Sequence, residues 1–233
     1  MAQIFHPSSN TVAKASILGG LFIVGAIAFA IYGLNTGDYQ TQVHVARDQP
    51  VRFSHEHHVA GLGIDCRYCH TSVETSNFAG IPATKVCMTC HSQVWTNAEI
   101  LEPVRASWRE NRPIQWTRVH DLPDFVQFNH SIHVQKGIGC YSCHGDVGKM
   151  PLVWKTNSLH MQWCLDCHRD PAKHIRSRDE VFVMKERTVP SGKDPHEYGR
   201  ELMKEYGVRA DIPREPGHEK FPNPLTNCSV CHY

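Results

Sequence analysis

Residues 15–34, ASILGGLFIVGAIAFAIYGL, form one long apolar run in a chain whose other apolar stretches are short. The run carries no charge over 20 positions, about the number of residues a helix needs to cross the hydrocarbon core of a bilayer. Lys14 precedes it and Asp38 follows it. The excess of positive charge on the short N-terminal side places residues 1–14 in the cytoplasm and the chain after residue 38 on the outer, periplasmic side of the inner membrane, with a single pass. Ala28-Phe29-Ala30 has the small-x-small form of a signal cleavage site. The run is longer than a usual signal h-region, so a retained anchor is the expectation. Its only polar residues are Ser16 and Tyr32, which suits an anchor and a docking surface for other helices better than a quinone site.

Outside this run, helical periodicity is local. Residues 97–111 predict a short helix with Ile100, Val104 and Trp108 on one face, interrupted by Pro103. A second helix is signalled by Asp194 as cap, Pro195 in the first turn, Tyr198, Leu202 and Tyr206 on one face, and Gly207 as stop. Strand signals are few, so the expected fold is mostly helical and irregular, with little β-structure.

The cysteines change this picture. Ten cysteines form five Cys-x-x-Cys pairs with none left over: Cys66/Cys69, Cys87/Cys90, Cys140/Cys143, Cys164/Cys167 and Cys228/Cys231. Each pair is followed at once by a histidine: His70, His91, His144, His168 and His232. Disulfide frameworks, zinc knuckles and redox dithiols also use paired cysteines, but none of them needs a histidine after every pair. Cys-x-x-Cys-His is the attachment motif of haem c. Two thiols at that spacing reach the two vinyl groups, and the next residue supplies an axial imidazole. We number these motifs one to five in chain order. The expected cofactors are five covalently bound haems c. With 41% hydrophobic residues, including the apolar run and the cysteines, the remaining chain has little material for an ordinary core, and the haems must supply much of it. The formal net charge of +1 gives no reason to expect nucleic acid as a partner.

A duplication supplies further candidate ligands. Phe53-x-His55-x-x-His58-Val59 followed by Gly63-Ile64-x-Cys66 recurs as Phe128-x-His130-x-x-His133-Val134 followed by Gly137-Ile138-x-Cys140, offset by 75 residues and then by 74. A second motif follows each first one, so the repeating unit is dihaem. A low-spin electron-transfer haem needs a second axial ligand, and the repeated histidines His55, His58, His130 and His133 are the candidates for four of them. The fifth falls to His120 or Met161, with Met150 and His160 behind them; a thioether would raise the potential of its haem, whereas the same methionine could simply pack on a porphyrin face. His6, His44, His57, His174, His196 and His218 stand outside any repeat and are expected to be solvated or to bond haem propionates. The domain reading is 1–14 cytoplasmic, 15–34 anchor, 39–118 first dihaem unit, 119–176 second dihaem unit, and 177–233 a C-terminal extension. Only Tyr233 follows the fifth motif, which lies outside the duplicated part and is a candidate place for electrons to enter or leave.

Three stretches, FSHEHHVAGLGIDCRYCHTSVETSNFAGIPATKVCMTCHSQVW from residue 53, RVHDLPDFVQFNHSIHVQKGIGCYSCHGDVGKMPLVWK from residue 118 and MQWCLDCHRDP from residue 161, resemble the pentahaem cytochrome subunit of bacterial alternative complex III. The resemblance runs over nearly the whole chain. It implies an electron carrier, not an enzyme by itself, with no catalytic residue of its own. Its complex oxidises quinol in partner subunits: an iron-sulfur subunit, multi-spanning quinol-binding membrane subunits and a monohaem cytochrome. Electrons then pass to a soluble periplasmic carrier or a terminal oxidase. The duplicated units also resemble small cytochromes of the c3 and c7 type, which implies distal roles for His55, His58, His130 and His133. Two other classes compete: a stand-alone membrane quinol dehydrogenase with one anchor helix, and a multihaem enzyme of the nitrite or hydroxylamine type. The second would keep one iron open, usually with an altered motif, and all five motifs here are regular.

Overall fold

The structure, a computed structural model, describes residues 4–210 and 224–232. His218 and Tyr233 lie outside the described residues. The chain divides into two units, the first ending at Val43 and the second beginning at His44.

The first unit is dominated by α1, Ser8–Thr36. At 1.5 Å per residue its 29 residues extend about 44 Å, longer than the roughly 30 Å hydrocarbon core. Its apolar side chains are exposed; Leu21, Phe22 and Phe29 keep 66%, 76% and 78% of their surface. It is the one helix among the described residues long and apolar enough to cross a membrane. It starts seven residues before the predicted span and continues past its end.

The second unit contains α2 (Thr84–His91), α3 (Glu102–Glu110), α4 (His130–Gln135), α5 (Met161–Arg169) and α6 (Pro195–Glu205), joined by turns and irregular chain. Among the described residues there is no strand, only the isolated bridges Val126 to His232 and Ile138 to Ile175. Buried apolar residues form two small clusters. One gathers Ala172, Ile175, Leu202, Met203, Tyr206 and Ala210, the other Val51, Leu101 and Val104.

The duplication is visible in the backbone. Gly63 and Gly137, equivalent in the repeat, both have positive φ (70° and 79°), which glycine adopts without strain. The change of offset from 75 to 74 has a structural counterpart. The first copy carries one more residue between Val59 and Gly63 than the second carries between Val134 and Gly137, and it winds as a π-helix over Glu56–Gly61 where the second copy forms the α-helix α4. A π-turn is how a helix absorbs a single inserted residue.

Asp194 caps α6 as its sequence signals, its carboxylate accepting from the backbone N–H groups of His196 and Glu197 at 3.0 and 2.9 Å. The helix ends in a Schellman motif, with Val208 N–H donating to Met203 O at 2.8 Å around Gly207 at φ 63°. Gly199 lets α6 lie directly on the turn Pro171–Lys173, since a Cβ there would sit 1.8 Å from the Ala172 carbonyl oxygen. The face predicted for residues 97–111 needs correction. Val104 is buried, but Ile100 and Trp108 are 48% and 51% exposed, and Leu101 is the inward partner instead. A 3-10 turn over Glu99–Leu101 precedes the helix, so Ile100 is out of α register. Pro103 falls in the first turn of α3, where its missing N–H costs no hydrogen bond.

Candidate haem-binding sites

Every Cys-x-x-Cys pair lies on a helical turn: Cys66–Cys69, α2, Cys140–His144, α5 and Cys228–Cys231. Residues three apart on a helix share one face, so the two sulfurs of each motif project together. Two of the shortest turns are held by side-chain caps: Asp65 accepts from Arg67 N–H at 2.8 Å, and Asn227 from Ser229 N–H at 3.2 Å. All ten cysteines are free of disulfides.

Cys87 and Met88 of α2 rest on the Val51 cluster, and the Cys90 carbonyl accepts from Gln93 and Val94 N–H at 2.9 Å each, which fixes the end of this motif.

The histidines are oriented by main-chain carbonyls. Nδ1 of His70, His91 and His168 lies 2.6, 3.1 and 2.8 Å from the carbonyl oxygens of Gly80, Val94 and Leu225. Nδ1 of His58, His130 and His133 lies 2.8, 2.9 and 2.7 Å from those of Ser54, Asn77 and Asn129. A carbonyl only accepts, so Nδ1 carries the proton in all six rings and Nε2 keeps its lone pair. This is the outer-shell arrangement that fixes the tautomer of a metal-binding imidazole.

Ring positions then match ligands across a metal. His58 and His91 have centroids 6.2 Å apart, His133 and His168 6.1 Å, and His130 and His144 6.5 Å. Two imidazoles on opposite sides of one metal, each bonded at about 2 Å, have nitrogens about 4 Å apart and ring centres roughly 6 Å apart. Both copies place Phe and His alike: Phe53 meets His58 at 4.4 Å and Phe128 meets His133 at 4.7 Å, while each Phe is edge-on to the first histidine, at 87° and 86°. His55 is half-buried, its enclosed Nδ1 has no partner, and its pKa falls to about 4 through desolvation and then the charge of His70. Paired thiols on one turn recur at all five motifs, and opposed rings at this spacing involve His91, His144 and His168 of motifs two, three and four; these residues fit haem c.

The candidates for the fifth distal position stand in different places. His120 is half-buried with an enclosed, unpartnered Nε2, its ring 4.3 Å from that of His144. Burial, followed by the charge of Lys155, lowers its pKa to about 4. Met161 opens α5 and is 63% exposed. Met150 is buried and its carbonyl accepts from Glu56 N–H, and His160 is the exposed cap residue of α5. Among the remaining histidines, His196 Nε2 is 2.8 Å from Asp170 Oδ1 and His57 stacks on Trp95 at 5.6 Å. No sequence pattern announces Gly80, Val94 or Leu225, because an accepting carbonyl has no residue signature.

The thiols also feel one another across motifs. After burial, Cys87 is the largest influence raising the Cys69 thiol, and Cys66 the largest raising Cys140, to about 11. Burial and then Cys167 push Cys143 up to about 12, and burial and then Cys231 raise Cys164. Burial lowers His144 to about 3, with His120, His130, His70 and His55 adding to it. Motif five docks by Gln127 N–H donating to Cys231 O at 2.8 Å and by Phe125 stacking on His232 at 5.9 Å.

Residues 51–103 match the family of cytochrome c7 and related cytochrome c. Over 212 residues the chain is 32% identical to the menaquinone reductase, multiheme cytochrome c subunit, of Nitratidesulfovibrio vulgaris, an alignment covering 91% of this chain and 88% of that protein. The motifs, their geometry and this relationship together place the chain in the multihaem cytochrome c family: it is a cytochrome c7-like electron-transfer protein related to a menaquinone reductase subunit.

Proposed function

We propose that the chain holds five haems in a line whose spatial order is motif two, one, three, four, five. The observation that carries this reading is the chain of contacts between motifs: His58 faces His91 at 6.2 Å, Cys66 Sγ and Cys140 N–H meet the adjacent carbonyls of Phe182 and Val181 at 3.9 and 3.0 Å, His130 and His133 of α4 face His144 and His168 at 6.5 and 6.1 Å, and His168 Nδ1 lies 2.8 Å from the Leu225 carbonyl just before motif five. Each haem, once attached, takes up and releases one electron. The chain's own residues hold the line in place, with His55, His58, His130 and His133 as distal ligands opposite His70, His91, His144 and His168 respectively. Motif five borders motif four, so Met161, on the same helix as Cys164, shares an element with its neighbour, whereas His120 stands at motif three. The line ends at motifs two and five, where electrons enter and leave.

The relative's name concerns a menaquinone reductase, and the sequence resembles a subunit of a quinol-oxidising complex. Both readings make this chain an electron carrier beside quinone-handling membrane partners, anchored by α1 with its N-terminus in the cytoplasm. We favour a subunit of an alternative-complex-III-type assembly, with an iron-sulfur subunit, multi-spanning quinol-binding subunits and a monohaem cytochrome, delivering to a carrier or terminal oxidase. The menaquinone-reducing direction is the second reading, carried by the relative. The test is stopped-flow reduction of the haems by menaquinol, in the detergent-solubilised native assembly and in the isolated chain. Reduction in the assembly alone supports the subunit reading, and reduction of the isolated chain at the same rate would establish a stand-alone quinol dehydrogenase. Electron flow from reduced haems to menaquinone, with no flow from menaquinol, would select the second reading.

A further inference from the structure

The two copies of the dihaem unit differ at the residue before the first cysteine. In the first copy it is Asp65, whose carboxylate is held by Arg67 at 2.9 Å, with both side chains nearly half exposed. In the second copy it is Gly139, and the space a side chain would fill is taken by Arg176. A Cβ on Gly139 would lie 2.5, 2.6 and 2.7 Å from Nε, Cζ and Cδ of that arginine. The φ of Gly139 is −75°, so it is room for the guanidinium, not backbone freedom, that requires glycine here.

Arg176 is only 2% exposed. Its Nη1 donates to the carbonyls of Lys185, Glu180 and Val183 at 3.0, 3.3 and 3.4 Å, and its Nε is buried without a partner. Among the described residues no carboxylate forms an ion pair with it, and Glu180 is engaged by Lys185 at 3.5 Å. The charge is met by carbonyl dipoles in direct contact and, beyond hydrogen-bond reach, by the Glu180 carboxylate. It is felt at the Cys140 sulfur, where Arg176 opposes the upward push of burial. The segment it clamps reaches motif three directly, through Cys140 N–H donating to Val181 O at 3.0 Å.

We propose that Arg176, seated on Gly139, is a positioning residue that raises the reduction potential of the haem at motif three above that of its structural counterpart at motif one. The proposal rests on the five-haem reading above. A fixed cation favours the state with one more electron, and more strongly where burial lowers the local dielectric. Motif one has at the same place a carboxylate neutralised by its own arginine, so otherwise equivalent sites become unequal. Electrons arriving at the middle of the line are then drawn from motif one toward motifs three, four and five.

The experiment is potentiometric titration of the full-length, haem-loaded protein followed by EPR, comparing the unaltered chain with Arg176→Gln and Arg176→Lys, with pyridine haemochrome counting on each. Five haems in all three isolate the proposal from the five-haem reading. We expect Arg176→Gln to weaken reduction of one haem about tenfold, about 59 mV for a one-electron couple, leaving the other four in place, and Arg176→Lys to restore most of the shift. Equal shifts in both variants, or no single midpoint moving, would mean that Arg176 only clamps the 176–185 segment. In the unaltered protein the haem at motif three should become reduced before that at motif one. The reverse order overturns the proposal even if Arg176→Gln fails to retain its haems.

Discussion

Main-chain carbonyls at Gly80, Val94, Leu225, Ser54, Asn77 and Asn129 fix the tautomers of six histidines. Each ring should therefore be replaceable only at the cost of one identifiable haem. His58→Ala and His133→Ala should each convert one low-spin haem to high-spin while all five remain attached, as read by EPR and haemochrome assay. His133→Met should keep that haem low-spin and raise its midpoint, since a thioether ligand favours the ferrous state. At this scale the five Cys-x-x-Cys-His motifs are legible in the sequence, because the motif is local and its chemistry demands those residue types, and their attachment of haem is the proposal. Arg176 was hidden. The difference between Asp65 and Gly139 in the aligned repeats was its one trace, and the arginine that fills the space lies 37 residues beyond Gly139 in the chain.

The elements follow local rules where the rules are strong. The cap at Asp194, the proline after it and the stop at Gly207 predicted α6 because each acts within one turn. The α3 face was misjudged because a 3-10 turn shifts the register by an amount that periodicity alone does not reveal. The offset change in the repeat marked an inserted residue, but its conversion to a π-helix is visible only in the backbone hydrogen bonds. Packing of α6 on Pro171–Lys173 gives a sharp test. Gly199→Ala would gain about 1 kcal/mol of helix propensity, yet it drives a methyl group into the Ala172 carbonyl. Over-packing typically costs about 1–3 kcal/mol, and here the obstacle is backbone, which yields least. The variant should have a lower Tm, measured by circular dichroism, while retaining its haems. A Tm equal to or above that of the parent would show that α6 is not held against this turn.

For the whole molecule, two small apolar clusters and no strand among the described residues are what a chain built around cofactors should show. That expectation came from counting five motifs against the available apolar residues, and the family relationship agrees with it. Spatial order was beyond the sequence, because it depends on which motifs meet one segment across the duplication, as Cys66 and Cys140 do at Phe182 and Val181. The helix α1 runs beyond the apolar run 15–34 at both ends, since helical hydrogen bonding continues into polar residues that hydropathy does not count. The central claim is that five regular motifs hold five electron-carrying haems with both axial positions filled by protein ligands. Its most direct test is haem quantification by pyridine haemochrome, combined with low-temperature EPR of the oxidised, purified protein. The account predicts five haems per chain, all low-spin, with a His/Met component if Met161 serves motif five and bis-histidine signals alone if His120 is the fifth distal ligand. Fewer than five haems, or a high-spin haem whose signal shifts on adding nitrite or hydroxylamine, would contradict it.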